Sequence, residues 1–544
     1  MRLALTCVTA LVLLAVNHIR PTAAFVACPN PITGSIDVSV PRAATTQGFT
    51  AKFNRLQNDV SGSGSGPYYW DISPAGDADL DGYADFMLSH MGQDLGPAAD
   101  AGSVWLFYGS PGLRGVYPLV NSPASSDQAH FYGIAASAVL GRGITSGKFN
   151  LDSCQDLFFG APGHNVESGI VYQVNGQFQL GRCRRFIDLN LASASSSLPG
   201  TLNGNFGTSV AAADLNGDRF DDFVVGAEDE DYSHSAPSSS DANGGVFVYY
   251  GPAVGAVPSY WADAPVKFLG ESHHSYTGES VSTGDFNGDR CADILVGAGS
   301  AVTPSGETRG AAYILYQARS LLCSGFRRGG VSTTWNLANT GIGFGPPGIR
   351  LLGEADGDRA GSYVSFVGDV NGDGFEDVAI DAHASDYSAT ATLTGAVYLI
   401  YGGARASDNR VELSTIDRSW GAKFYSTTAE EKVGMSVGAA GDVDGDGYDD
   451  FLIGTQQNYE VKAYLVFGRP GQWSGKIELT PGTGITQLTG DYYHPSENQA
   501  NTKGRGVGDV DGDGLDDFVL TGSHTVDARG YSTAFLIRGS CRVP

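Results

Sequence analysis

A nine-residue acidic pattern, Asp-x-Asp/Asn-x-Asp-x-x-x-Asp, occurs six times in this chain, starting at Asp77, Asp214, Asp285, Asp369, Asp442 and Asp509. A seventh, damaged copy runs from Lys148 to Asp156, and successive starts lie 66 to 84 residues apart. A repeat that cannot bury its own apolar face must stack on its neighbours, so the period constrains the fold before any single residue does.

Each intact copy offers oxygen and nothing else. In the first, Asp77, Asp79, Asp81 and Asp85 stand at positions 1, 3, 5 and 9, and the carbonyl of Tyr83 at position 7 adds a fifth donor. The same places hold Asp214, Asn216, Asp218, Phe220 and Asp222, then Asp285, Asn287, Asp289, Cys291 and Asp293, then Asp369, Asn371, Asp373, Phe375 and Asp377. The last two copies are Asp442, Asp444, Asp446, Tyr448 and Asp450, and Asp509, Asp511, Asp513, Leu515 and Asp517. All-oxygen ligation from a short loop suits Ca2+, which accepts about 6–8 oxygens, whereas zinc calls for His or Cys. About six calcium sites are expected. Position 6 needs a left-handed backbone; Gly82, Gly374, Gly447 and Gly514 supply it, while Arg219 and Arg290 would pay on the order of 1 kcal/mol. Those two sites should be weaker. A helix–loop–helix calcium site would require Glu at position 12, but that place is apolar (Leu88, Val225, Val296, Ile380, Ile453, Leu520). In the damaged copy Lys148 replaces the first carboxylate, so either its ammonium fills the cation position or the loop has lost its role.

Around each loop the order of apolar runs is constant. A Gly- and Ser-rich run such as Phe206-Gly-Thr-Ser-Val-Ala enters the loop, Asp222-Phe-Val-Val leaves it, and Gly245-Val-Phe-Val-Tyr and Val266-Lys-Phe-Leu follow. Four antiparallel strands per unit and seven units predict an all-β fold, a seven-bladed β-propeller with calcium-binding hairpin loops. The last unit lacks a fourth strand, and residues 48–54 carry a matching pattern, so they are expected to close the last blade. With Phe206-Gly207 followed by Gly226-Ala227, and Gly160-Ala161-Pro162 after Phe158-Phe159, the chain resembles the FG-GAP repeat propeller of integrin α subunits. The resemblance implies calcium loops on a lower face and partner binding on the upper one. It stops short of the integrin leg domains, membrane anchor and inserted ligand-binding domain, which have no counterpart in the sequence.

Residues 1–24 read as a secretory signal peptide (Arg2, an apolar run from Leu3 to Val16, then Thr22-Ala23-Ala24), leaving 25–544 as one propeller in an extracellular compartment. No segment of membrane-spanning length follows. A formal net charge of -26 disfavours nucleic acid and anionic membranes. Loss of Cys7 with the signal leaves six cysteines, suited to disulfides. Cys154 and Cys291 both occupy position 7, and Cys183 and Cys323 both follow third strands, so Cys154–Cys183 and Cys291–Cys323 are the expected pairs. Cys28 and Cys541 flank the latch and form the third.

No catalytic residue is assigned: nucleophile motifs, phosphate loops and zinc spacings are absent from the sequence. His90, His164, His383 and His524 each follow a second strand and read as polar loop residues rather than a metal ring. The longest second-to-third connections, 227–243, 298–309 and 381–394, fall in neighbouring blades on the upper face, where a propeller can carry binding. The expected function is a secreted, calcium-binding adhesion or binding module with an extracellular protein or carbohydrate ligand. The competing expectations are an extracellular, polysaccharide-active enzyme and a structural matrix or coat protein.

Overall fold

In the sixth repeat the acidic loop joins the strand Ser436–Gly441 to Asp450–Gly454, and Glu460–Val466 and Ile485–Asp491 complete an antiparallel sheet. The second strand is buried along its whole length, as expected of an apolar run covered on both faces. The computed structural model describes residues 35–37, 49–55 and most of 70–540, and it repeats this sheet seven times. Within 70–540 the longest stretches outside the described residues are 231–242, 252–263, 317–332, 492–499 and 525–532. The expected signal peptide, Cys28, Cys323 and Cys541 also lie outside them.

The core is divided among the joints between blades. Seven apolar clusters each combine residues of two adjacent sheets, such as Phe149, Phe158 and Val171 with Phe223, Phe247 and Tyr249. One cluster joins the first blade to the last: Trp70, Phe86 and Trp105 pack with Val507, Val519 and Leu536. The chain is thus a closed seven-bladed propeller. Burying a large apolar side chain contributes roughly 1.5–3 kcal/mol, so each joint outweighs any single loop contact. Phe49–Arg55 pairs antiparallel with Thr533–Ile537, with Phe53 opposite Ala534, and is the fourth strand of the last blade.

Most blades exceed the four strands read from the sequence. A short fifth strand, taken from the connection that leads to the next blade's outer strand, adds in parallel to the edge. Thr333–Asn336 joins Val266–Leu269, Arg410–Glu412 joins Gly348–Leu352, and Gly475–Glu478 joins Gly421–Tyr425. Gly115–Leu119 covers the latch strand, and Ser35–Asp37 covers Ile485–Asp491. These additions occupy edges that would otherwise invite pairing with another chain. All seven acidic loops join first to second strands, so they share one face. The long connections 298–309 and 381–394 join second to third strands and lie on the other.

Candidate metal centres

The loop backbone is shaped by its own carboxylates. Asp442 accepts the N–H of Asp446 at 3.0 Å on Oδ1 and that of Gly447 at 2.9 Å on Oδ2. Asp446 Oδ1 accepts the N–H of Tyr448 at 3.0 Å. The same bonds recur from Asp77 to Asp81 and Gly82, and from Asp509 to Asp513 and Gly514. This winding puts position 6 in the left-handed region: φ is +92° at Gly447, but also +74° at Arg219 and +67° at Arg290.

Position 9 is fully buried. Asp450 accepts the N–H of Gly468 at 2.8 Å and that of Val443 at 3.0 Å, one on each carboxylate oxygen. Asp85, Asp222, Asp377 and Asp517 are held the same way by Gly109, Gly251, Gly402 and Gly539 after the third strand. Burial pushes these carboxyls up, to about 7 for Asp85 and about 8 for Asp222, Asp377 and Asp517, and the neighbouring loop aspartates add to the rise. A buried carboxylate surrounded by like charge is the environment a hard cation relieves.

In three loops the carboxylates converge. Oxygens of Asp77, Asp79 and Asp85, of Asp442, Asp444 and Asp450, and of Asp509, Asp511 and Asp517 lie within 4.8 Å of one another. These clusters can hold a metal ion, and their donor chemistry fits a hard one. Asp81, Asp446 and Asp513 stand outside the tight clusters. The loops at Asp214, Asp285 and Asp369 carry Asn at position 3 and so one carboxylate fewer. There Asn216 Nδ2 donates to Asp222 at 3.2 Å, and Asn287 Nδ2 to Asp293 at 3.5 Å.

Neighbouring loops are bracketed together through position 8, a place the sequence reading passed over. Asp449 Oδ2 accepts the N–H of Asp369, position 1 of the preceding blade, at 2.8 Å, and its own N–H returns to the Asp369 carbonyl at 3.2 Å. Asp516 brackets Asp442, Glu376 brackets Asp285 and Asp221 brackets Lys148 in the same way. Ala84 makes only the backbone half of the bracket, to the Asp509 carbonyl at 3.0 Å, and no such bond joins Asp77 to Gln155 or Asp214 to Ala292 among the described residues, so five of the seven joints are tied in this way. The position-7 side chain lies over position 4 of the preceding loop: a Cβ at Gly372 would come within 2.3 Å of the Tyr448 ring. The signal for both was present as alternating acids and aromatics at positions 8 and 7, but only the ring geometry gives them partners.

Two arginines reach the loops. Arg185, stacked over Tyr108 at 4.5 Å, contacts Asp79 through Nε and Asp81 through Nη2 at 3.2 Å. Arg538 pairs with Asp511. In the damaged copy Asn150 Nδ2 donates to Asp156 at 2.9 Å, and the Lys148 side chain makes no ion pair there among the described residues. Cys154 is bonded to Cys183 with Cα atoms 5.6 Å apart, which pins that loop to the chain after its third strand. Cys291 is also disulfide-bonded. Of the four histidines, His90 is buried against Trp70, while His383 donates or accepts at 2.6 Å with the buried Asp381. Trp335 and Trp473 are buried in the joints between blades.

The FG-GAP repeat model matches residues 206–249, 277–315 and 433–471, which contain the loops of the third, fourth and sixth blades. This is an FG-GAP repeat β-propeller, similar to that of integrin α subunits. It is 30% identical to integrin alpha-V of Gallus gallus over 46% of this chain and 20% of that protein. It is 27% identical to integrin alpha-5 of Xenopus laevis over 55% of this chain and 23% of that one. A phosphatidylinositol-glycan-specific phospholipase D of Bos taurus is 31% identical over 34% of the chain and 21% of its own length. The chain therefore matches about a fifth of the length of these relatives. Among the described residues no helix is long and apolar enough to cross a membrane.

Proposed function

We propose that this FG-GAP propeller is a secreted, calcium-stabilised binding module that engages an extracellular protein on the face opposite its acidic loops. The observation that carries the reading is the bracketing of neighbouring loops. At five of the seven joints position 1 of one loop is tied to position 8 of the next, which suits cations that brace blades and leaves the other face for partners. Calcium then acts on binding indirectly, by holding blades in register. All six intact loops are proposed as sites; the carboxylates converge in those of the first, sixth and seventh blades, with Arg185 and Arg538 competing for them in the first and seventh. Cys291–Cys323 and Cys28–Cys541 are proposed as the remaining disulfides. The likeness to integrin α subunits favours a non-enzymatic role.

The test uses an array of secreted proteins probed with the calcium-loaded propeller, followed by two variants. Shortening 228–243 should weaken the captured partner without changing calcium-dependent melting. Loss of binding in Asp450→Ala with fold and melting temperature untouched would instead make the metal a direct bridge and put the functional face on the wrong side.

A further inference from the structure

Residues from the inner strands of all seven blades line one cavity of about 320 Å3, around the propeller axis and away from the acidic loops. Its chemistry runs against that of the chain. The formal net charge is -26, yet Arg142, Arg359, Lys503 and Arg505 all reach this cavity, against the carboxyl groups of Asp71 and Glu279. Arg142 Nη2 lies 3.2 Å from Glu228 Oε2, and Lys503 Nζ lies 3.7 Å from Asp71 Oδ1. Arg505 is half-buried and makes no ion pair among the described residues; the opposing charge it feels is that of Asp71, which it shares with Lys503.

Burial holds both Lys503 and Arg505 below their ordinary values, and the like charges of Arg142 and Arg505 lower Lys503 further. Burial, with the Glu228 carboxylate alongside, pushes Glu279 above the usual carboxylate range, so it returns less negative charge than its formula suggests. Four cations reaching a walled cavity, with Asp71 shared by Lys503 and Arg505 and Glu228 taken by Arg142, focus a positive field, and an anion relieves it. A guanidinium fork matches the oxygens of a tetrahedral oxyanion, and an ammonium supplies a point charge beside it.

We propose that the axial cavity binds a small oxyanion of the sulfate or phosphate type, held by Arg505 with Lys503 and Arg142. This goes beyond the partner reading above and stands whether or not that reading does. The oxyanion can arrive free or as an ester on a larger molecule.

The test titrates calcium-loaded protein by calorimetry with sodium sulfate in one arm and a sulfated monosaccharide in the other, each against chloride at equal ionic strength. Wild type should bind saturably. Arg505→Met should bind at least about tenfold more weakly, and Arg505→Lys should recover part of the loss. Tighter binding of the ester than of the inorganic ion identifies the carried group, and equal or weaker binding identifies the free ion. Should Arg505→Met fail to fold, Asp71→Asn gives a test of opposite sign: removing the competing carboxylate should tighten sulfate several-fold. No saturable response in either arm, equal responses of wild type and Arg505→Met, or no tightening in Asp71→Asn would overturn the assignment.

Discussion

Replacing Asp449 by Ala should weaken calcium binding in the blade before its own. Asp449 belongs to the sixth blade, but its carboxylate accepts the N–H of Asp369 in the fifth at 2.8 Å. Asp369 in turn holds its loop by accepting from Gly372 at 2.8 Å, Asp373 at 3.0 Å and Gly374 at 2.8 Å. Both residues are half-buried. A hydrogen bond to a charged acceptor contributes about 1.5–3 kcal/mol, and partial solvent access argues for the lower end, about 1.5 kcal/mol. Asp449→Asn keeps a neutral acceptor and should cost about half of that. The assay is urea denaturation in saturating calcium, combined with a double-mutant cycle. Asp449→Ala should couple to Asp373→Ala in the neighbouring loop by at least about 0.5 kcal/mol, yet add to Asp81→Ala in the first blade. Additivity with both, or an unchanged denaturation midpoint, would refute the idea that position 8 transmits between loops.

Arg219→Gly and Arg290→Gly should each stabilise the protein by up to about 1 kcal/mol, because both arginines hold a left-handed backbone that glycine adopts without strain; urea midpoints check this. Arg185→Met should tighten calcium at the first loop several-fold, since the guanidinium competes for Asp79 and Asp81; calorimetric titration checks it. Burial raises the Asp358 carboxyl to about 6, its N–H bond from Ala355 notwithstanding. Its folded value lies above its unfolded one, so its contribution is fully present below about pH 4 and lost as pH rises through 6. In saturating calcium, stability should therefore fall less between pH 4 and 7 in Asp358→Asn than in wild type; parallel pH profiles would contradict the sign.

The repeat made much of this fold legible. The acidic positions of the repeat set the phase of the blades, and the apolar runs on either side of each loop gave strands of nearly the right length. The pattern of residues 48–54 was readable because its partner edge was missing elsewhere in the chain. The fifth strands were not readable: stretches such as Arg410–Glu412 are too short to show a period, and they pair with the neighbouring blade rather than their own. The position-8 brackets were equally hidden, because Asp449 and Asp369 are 80 residues apart and only the stacking of consecutive blades makes them neighbours. Asn at position 3 matches Asp in the repeat pattern, but its amide N–H2 turns to the buried carboxylate in two loops, a contact the pattern does not show. Arg185 comes 104 residues after Asp81, so no local pattern linked them.

The central claim is that hard cations brace the loop ring, and paired melting curves with a calcium titration of metal-stripped protein test it most directly. An ion at 1,000 times its dissociation constant stabilises by roughly 4 kcal/mol per site. The account predicts a sharply higher melting temperature in calcium and a stoichiometry approaching six. Superimposable melting curves in calcium and in chelator would contradict it.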